Sequence, residues 1–344
     1  MKKQMTFLFL FMLSYLAHAQ SVEFVRKDAE RKVDVMIGGK FFTSYFYPDE
    51  AVLKKPVLFP ILTAHGTTIT RGFPLAPRTG ERTDHPHHVG LWLNYEYVNG
   101  MDYWNNSTAI KPELRKEKYG LIRHTGISKM KNGKVGKLKV TADWIEKDGT
   151  GKVVLKETTS YIFSGNDSFR IIDRETRLTA FDTIVAFNDV KDGLFGLRVA
   201  RELEHPSEKP EIFTDAHGVE TKVPVINNNG VVGHYHSSDG IEGENVWSTR
   251  AKWMGLSGKI GNEDIDIFIF DHPKNINYPT YWHARPYGLL ALNPLGEKVF
   301  SNGKKTLNLK LKKGESLNLK YRIVIKSGKI SNIEANKIAD DFSK

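Results

Sequence analysis

The sequence predicts an all-β protein, a large antiparallel β-sandwich closed by a short C-terminal helix. Three observations carry this. Short stretches that alternate apolar and polar residues recur from Ser21 onward, cut by Gly, Asn, Asp and Pro about every eight to twelve residues. Helical periodicity is convincing only over about 330 to 342, where Ile330, Ile333, Ile338 and Phe342 recur at helical spacing. No repeat, linker or shift in composition divides the chain, so residues 20–344 read as one domain.

The first twenty residues stand apart. Lys2 and Lys3 precede an apolar run from about Met5 to Leu16, and Ala17-His18-Ala19 has the small-x-small pattern of a cleavage site. Residues 1–19 are therefore expected to be a signal peptide, with the remainder secreted to the periplasm or cell exterior. The apolar run is short for a bilayer span, and no later run approaches one, which argues against membrane insertion. That compartment also argues against nucleic acid as a partner.

The chain has no cysteine, which removes disulfides, thiol nucleophiles and zinc–thiolate sites together. Stability must come from core burial, for which roughly 325 residues suffice. The formal charge of +10 becomes +8 without Lys2 and Lys3, and much of it lies in the lysine runs at 129–139 and 304–313. These read as solvated strand faces, with attraction to polyanions as the alternative.

Period-two segments follow in order: 22–28, 32–47, 137–146, 152–164, 168–180, 194–204, 265–271, 288–293 and 306–325. The last is expected to be a hairpin turning at Gly314-Glu315. One segment, 223–247, is rich in Gly, Asn and Ser and carries His234 and His236. It is expected to be a long loop on the same mouth as the histidine cluster described next.

Chemistry concentrates in residues 80–104, GERTDHPHHVGLWLNYEYVNGMDYW, which hold three of the twelve histidines. On an extended backbone His85 and His87 leave on one face and Asp84 and His88 on the other, while Pro86 excludes a central strand. The stretch 91–98 reads as a strand, Asn99-Gly100 as a two-residue hairpin turn and Met101 onward as the return. A second block, 271–295, repeats Asp-His-Pro at Asp271 and places His283, Arg285 and Tyr287 on one face if extended.

These residue types admit three kinds of function. Histidine titrates near neutral pH, so His85, His87, His88 and His283, with Tyr287, are candidates for acid/base catalysis. Trp92, Trp104 and Trp282 offer faces for sugar rings, and Arg71, Arg82, Asp84, Asn94, Asp102 and Arg285 offer partners for hydroxyls or anions. The same lining serves a non-catalytic glycan-binding protein. A His-ligated divalent metal, as in an oxidase, is admitted but not required: His85 and His87 supply two ligands, and His283, His217 or Asp102 a third. The plain alternative, imidazoles hydrogen-bonded within a Pro-bent loop, stays open, and His65, His124 and His205 read as surface residues. No spacing singles out a carboxylate pair among Asp84, Glu96, Asp102 and Asp271. Oligomeric state leaves no mark in the sequence.

The blocks GERTDHPHH (80–88), VNGMDYW (98–104), Trp253 to Gly258, DHP at 271 and PTYWHARPYGLLALNPLG (279–296) together resemble the PmoA-like family, also catalogued as DUF6807, a domain of unknown function. The resemblance covers nearly all of the chain after residue 19. It implies a secreted sandwich of the galactose-mutarotase-like or jelly-roll type, from bacteria that degrade polysaccharides, acting near 3-keto-glycoside chemistry. The expected activity is a His-dependent lyase or hydrolase on an oxidised (3-keto) or acidic sugar, with an oligosaccharide or glycoside as partner. One departure is Val89, where the family pattern has Arg after the histidine pair.

Overall fold

The computed structural model describes residues 19–344, so the expected signal peptide lies almost wholly outside the described residues. Two eight-stranded antiparallel sheets face one another, as the alternation predicts. The first runs, in spatial order, Val22–Lys27, Lys32–Ile37, Lys40–Phe46, Val57–Ile61, Leu91–Tyr95, Gly193–Arg198, Leu289–Asn293 and Tyr281–Trp282. The second runs His234–Ser237, Trp253–Ile260, Glu263–Asp271, Ser316–Ser327, Phe169–Ala180, Val153–Gly165, Gly136–Ile145 and Leu121–Lys131. Leu91, Leu93, Tyr95, Phe195 and Leu197 from the first sheet meet Tyr161, Ile172, Ile323 and Tyr321 from the second in one buried core. Among the described residues no helix is long and apolar enough to cross a membrane.

The tail helix forms at Asn332–Phe342, with Ser331 capping it by accepting the Glu334 N–H. It covers the outer face of the second sheet, where Ile330, Ala335 and Ala339 pack on Trp253, Phe268 and Phe270. Ile333, expected on that stripe, points to solvent. Another helix, Pro112–Lys118, was not expected: none of its residues is buried, so it leaves no apolar periodicity to read.

Two expectations on connectivity are corrected. Ser316–Ser327 does not turn back on the preceding segment; it lies between Glu263–Asp271 and Phe169–Ala180, while Lys310–Leu311 pairs with Val185–Ala186. Period-two sequence gives the face of a strand and not its neighbour. The segment 223–247 is not a loop throughout, since His234–Ser237 forms an edge strand of the second sheet. His236 packs edge-on against Phe268 and His234 faces Glu242, so neither joins the histidine cluster.

Strand parity places the site. In Leu91–Tyr95, Leu91, Leu93 and Tyr95 enter the core, so Trp92 and Asn94 must leave on the outer face. Trp92 pairs with Gly196, Gly196 with Ala291, and the His283 N–H donates to the Ala291 carbonyl at 2.8 Å. A second apolar cluster therefore forms outside the sandwich from Leu53, Val57, Val89, Trp92, Trp104, Leu289 and Ala291. Gly196 is required there, because a Cβ would stand 2.8 Å from Trp92 Cζ2 and 3.2 Å from Trp104 Cη2. Gly196→Ala is expected to cost about 1–3 kcal/mol by overpacking, read as a lower denaturant midpoint with an altered tryptophan near-UV signal. An unchanged midpoint would mean that the indoles shift freely.

Candidate active site

The histidine cluster is a turn rather than an extended segment, which corrects the expected split of side chains. His85 has a φ of 45°, Pro86 occupies the second position, and the His88 N–H closes the turn on the His85 carbonyl at 2.9 Å. His85 and His88 consequently lie parallel, 4.8 Å apart between centroids, and His87 turns edge-on to His88 at 4.4 Å.

Two buried arginines hold this turn. Arg71 donates to the carbonyls of Arg82, Asp84, His85 and His88 and to Asp84 Oδ1. Arg198 grips the same carboxylate, at 2.6 Å to Oδ1 and 3.2 Å to Oδ2. Burial alone would raise the Asp84 pKa, but Arg198, the His85 hydrogen bond and Arg71 outweigh it and hold the carboxyl well below its usual range. Asp84 is thus an acceptor only. His85 Nδ1, 2.5 Å from Asp84 Oδ2, must carry a proton, so in the neutral imidazole the lone pair lies on Nε2.

The three imidazoles differ in access. His85 keeps over a third of its side chain exposed. His87 and His88, expected to share its acid/base role, are buried, and burial first, then the charges of Lys55 on His87 and of His87 and Arg198 on His88, keeps both rings neutral. His88 stacks on Trp92 at 5.2 Å. Tyr287 lies over His85 at 4.8 Å, with Arg198 against its ring, and burial raises its pKa, so the phenol keeps its proton.

The two sequence blocks do reach one face of one sheet, but unequally. Tyr287 touches the histidine turn directly, whereas His283 lies three strand spacings from Trp92, about 14 Å across the sheet. Its Nδ1 stands 3.8 Å from Asp192 Oδ1, and burial lowers its pKa to about 4 despite that carboxylate. Arg285 turns away from the histidines, its guanidinium 5.3 Å from the Trp247 ring.

Several expected ligand contacts are taken up inside the protein. Arg71 is spent on loop carbonyls, and Arg82 pairs with Glu204 at 2.7 Å and Glu211 at 2.8 Å. Asn94 donates to the Tyr103 carbonyl, and Asp102 accepts from the Trp104 and Asn105 N–H groups. Trp92, Trp104 and Trp282 are buried and offer no face to a sugar ring; Trp282 belongs to the core between the sheets. The metal arrangement does not assemble: among the described residues no three His, Asp or Glu donors are placed to hold an ion. His217 sits in an exposed turn, and His124, expected at the surface, is half-buried against Tyr47, the ring centroids 4.1 Å apart and the planes tilted by 31°.

The residues missed in the sequence are Arg198, Lys55 and Asp192. Arg198 had a signal: a lone guanidinium in the apolar strand GLFGLR must find a partner when buried. Lys55 is buried with its Nζ donating to the His87 carbonyl at 2.7 Å, and burial lowers its pKa to about 7. Nothing near Lys55 in the sequence marks it.

Arg198→Met takes one of the two guanidinium partners from the Asp84 carboxylate and is expected to cost up to about 3–5 kcal/mol, with part recovered in the double variant carrying Asp84→Asn; equilibrium denaturation reads both. Asp102 provides a pH test. Burial raises its folded pKa to about 6 from 3.8, so the folded state binds more protons between those values and stability falls as pH rises through them. Asp102→Asn keeps an acceptor for the backbone and is expected to remove about 2–3 kcal/mol of that decline, measured by denaturation at pH 4 and pH 7.

Among curated proteins none matches the chain. Solved structures that align include the galactosidase domain of the α-galactosidase–sucrose kinase AgaSK, at 9% identity and a TM-score of 0.41, covering 89% of this chain and 42% of that one. The GH36 α-galactosidase AgaA from Geobacillus stearothermophilus aligns at 10% identity and a TM-score of 0.39, over 89% of this chain and 41% of that one. The Slr1438 protein from Synechocystis sp. PCC 6803 aligns at 9% identity and a TM-score of 0.33, over 89% and 96%. This chain thus spans about two fifths of the two galactosidase chains. The sequence itself matches a family profile over residues 32–340, and the chain belongs to the family described as "Family of unknown function (DUF6807)".

Proposed function

We propose that the protein is a secreted carbohydrate-active enzyme, a His-dependent lyase or hydrolase acting on an oxidised (3-keto) or acidic sugar. The observation that carries this is the Asp84–His85 pair: an exposed imidazole whose tautomer is fixed by a carboxylate that two buried arginines keep ionised. That is the arrangement of a general base, with the lone pair of Nε2 directed away from its orienting group.

Tyr287 supplies the complementary acid. Its protonated phenol belongs to a ring stacked on His85, so a sugar that reaches one group is near the other. His85 would take the proton α to a carbonyl as the C–H pair becomes an enolate. The β C–O bond then breaks, a C=C bond forms, and the departing oxygen receives the Tyr287 proton. Water adding to that product gives net hydrolysis. Arg71 and Arg198 are held by the turn and by Asp84, and Arg285 lies against Trp247, so none of the three is assigned to the enolate.

His85→Ala is expected to lower turnover by about 10²–10⁴-fold with the melting temperature retained. The measurement is chromatographic product analysis on keto- and uronic-type glycosides. Turnover that survives His85→Ala removes the base from the reaction; binding without product from any substrate leaves a glycan-binding protein.

A further inference from the structure

We propose that the corner of this sheet face formed by Glu96, Asp192 and His283 is a hydroxyl-recognising subsite that selects neutral sugars over carboxylate-bearing ones. The inference rests on the sugar-acting reading above and chooses between its two substrate classes.

The corner is built by strand register. Tyr95 pairs with Gly193, which makes Glu96 and Asp192 neighbours, and the Glu96 N–H donates to the Asp192 carbonyl at 2.9 Å. The hairpin at Asn99-Gly100 returns Asp102 opposite Tyr97, close enough that its charge acts on Glu96. Burial first, then Asp192 and Asp102, push Glu96 up to about 7, so near neutral pH it is partly a proton donor. The cations nearby are otherwise engaged. Lys191 holds the other oxygen of Asp192 at 2.5 Å from the solvent side, Lys55 is tied to the His87 carbonyl, and Arg285 rests on Trp247.

His283 gives the second, independent observation. Its ring is 2% exposed and Nδ1 has no hydrogen-bond partner, although Asp192 Oδ1 stands 3.8 Å away. That separation is too long for a hydrogen bond, yet short enough for one oxygen to lie about 2.8 Å from both atoms. In the tautomer that turns Nδ1–H toward the carboxylate, a bridging group accepts from the imidazole and donates to Asp192. A hydroxyl does both. A carboxylate only accepts and would meet Asp192, and the ionised fraction of Glu96, as like charges, while an ammonium only donates.

The test is direct binding at pH 7, by calorimetry or ligand-observed NMR, of methyl glucoside against methyl glucuronide and of methyl galactoside against methyl galacturonide. At least one neutral glycoside is expected to bind about tenfold or more tightly than its uronide. Asp192→Asn is expected to weaken the neutral sugar about tenfold and to narrow the ratio, Glu96→Gln to narrow it too, and His283→Ala to weaken the neutral sugar. His234→Ala, exposed on the second sheet, should bind as the parent does, and melting curves confirm folding of each variant. Uronides binding as well as or better than their glycosides, Asp192→Asn and Glu96→Gln variants with the parental ratio, or no binding by any of the four sugars would each overturn the proposal. Turnover is not read here. Loss of selectivity with His85-dependent turnover intact removes the subsite alone, and selectivity without turnover removes the reaction alone.

Discussion

One carboxylate between two buried guanidinium groups governs this face of the protein. Asp84 is held by Arg71 and Arg198, and the clamp does three things at once. It supplies partners for the inward carbonyls of a turn that has almost no ladder hydrogen bonds of its own. It keeps Asp84 ionised although burial opposes this. Through Asp84 it fixes which nitrogen of His85 carries the proton. Desolvating three charges is costly, and an apolar substitute of the same shape would hold a loop as well or better. The charges are therefore best understood through the imidazole they orient, since a greasy core cannot set a tautomer.

Much of the fold was legible because its signal is local. Alternation reports which residues of a strand face the core, and in Gly136–Ile145 the buried residues follow the pattern. Asn99-Gly100 reports a turn through its own backbone preferences, and both residues adopt positive φ. What alternation lacks is the identity of the neighbour, which is why Ser316–Ser327 was expected in a hairpin with the segment before it. The helix at 112–118 escaped for the opposite reason: none of its residues is buried and the one that turns inward is Arg115, on Asp148, so no apolar periodicity is imposed on it.

The site was legible as a concentration of residues and not as a geometry. His85, Asp84 and Tyr287 were all visible in two short blocks, yet an extended reading of DHPHH put Asp84 and His85 on opposite faces. Pro86 marked the break in the strand, but the turn it nucleates reverses that geometry and pairs Asp84 with His85. Arg198 and Asp192 lie about a hundred residues away on Gly193–Arg198 or at its edge, and only sheet pairing brings them to the histidines. Long-range pairing of this kind has no counterpart in spacing along the chain.

The fate of the tryptophans shows why such a site has the form it does. A sandwich has two inner faces that cover each other, whereas a site on an outer face lacks a third layer to support it. Trp92 and Trp104, with Leu53, Val57, Val89 and Leu289, supply that layer locally, and Gly196 lets the indoles approach the sheet closely. Their surfaces are used up in packing, so they serve as the ground on which His88, and above it His85, is stacked. Val89 completes the layer: an arginine there would have to leave the apolar cluster or bring its charge into it. The rings act through rigidity. By fixing His88 they fix the height and tilt of His85, the one imidazole of the turn that reaches solvent.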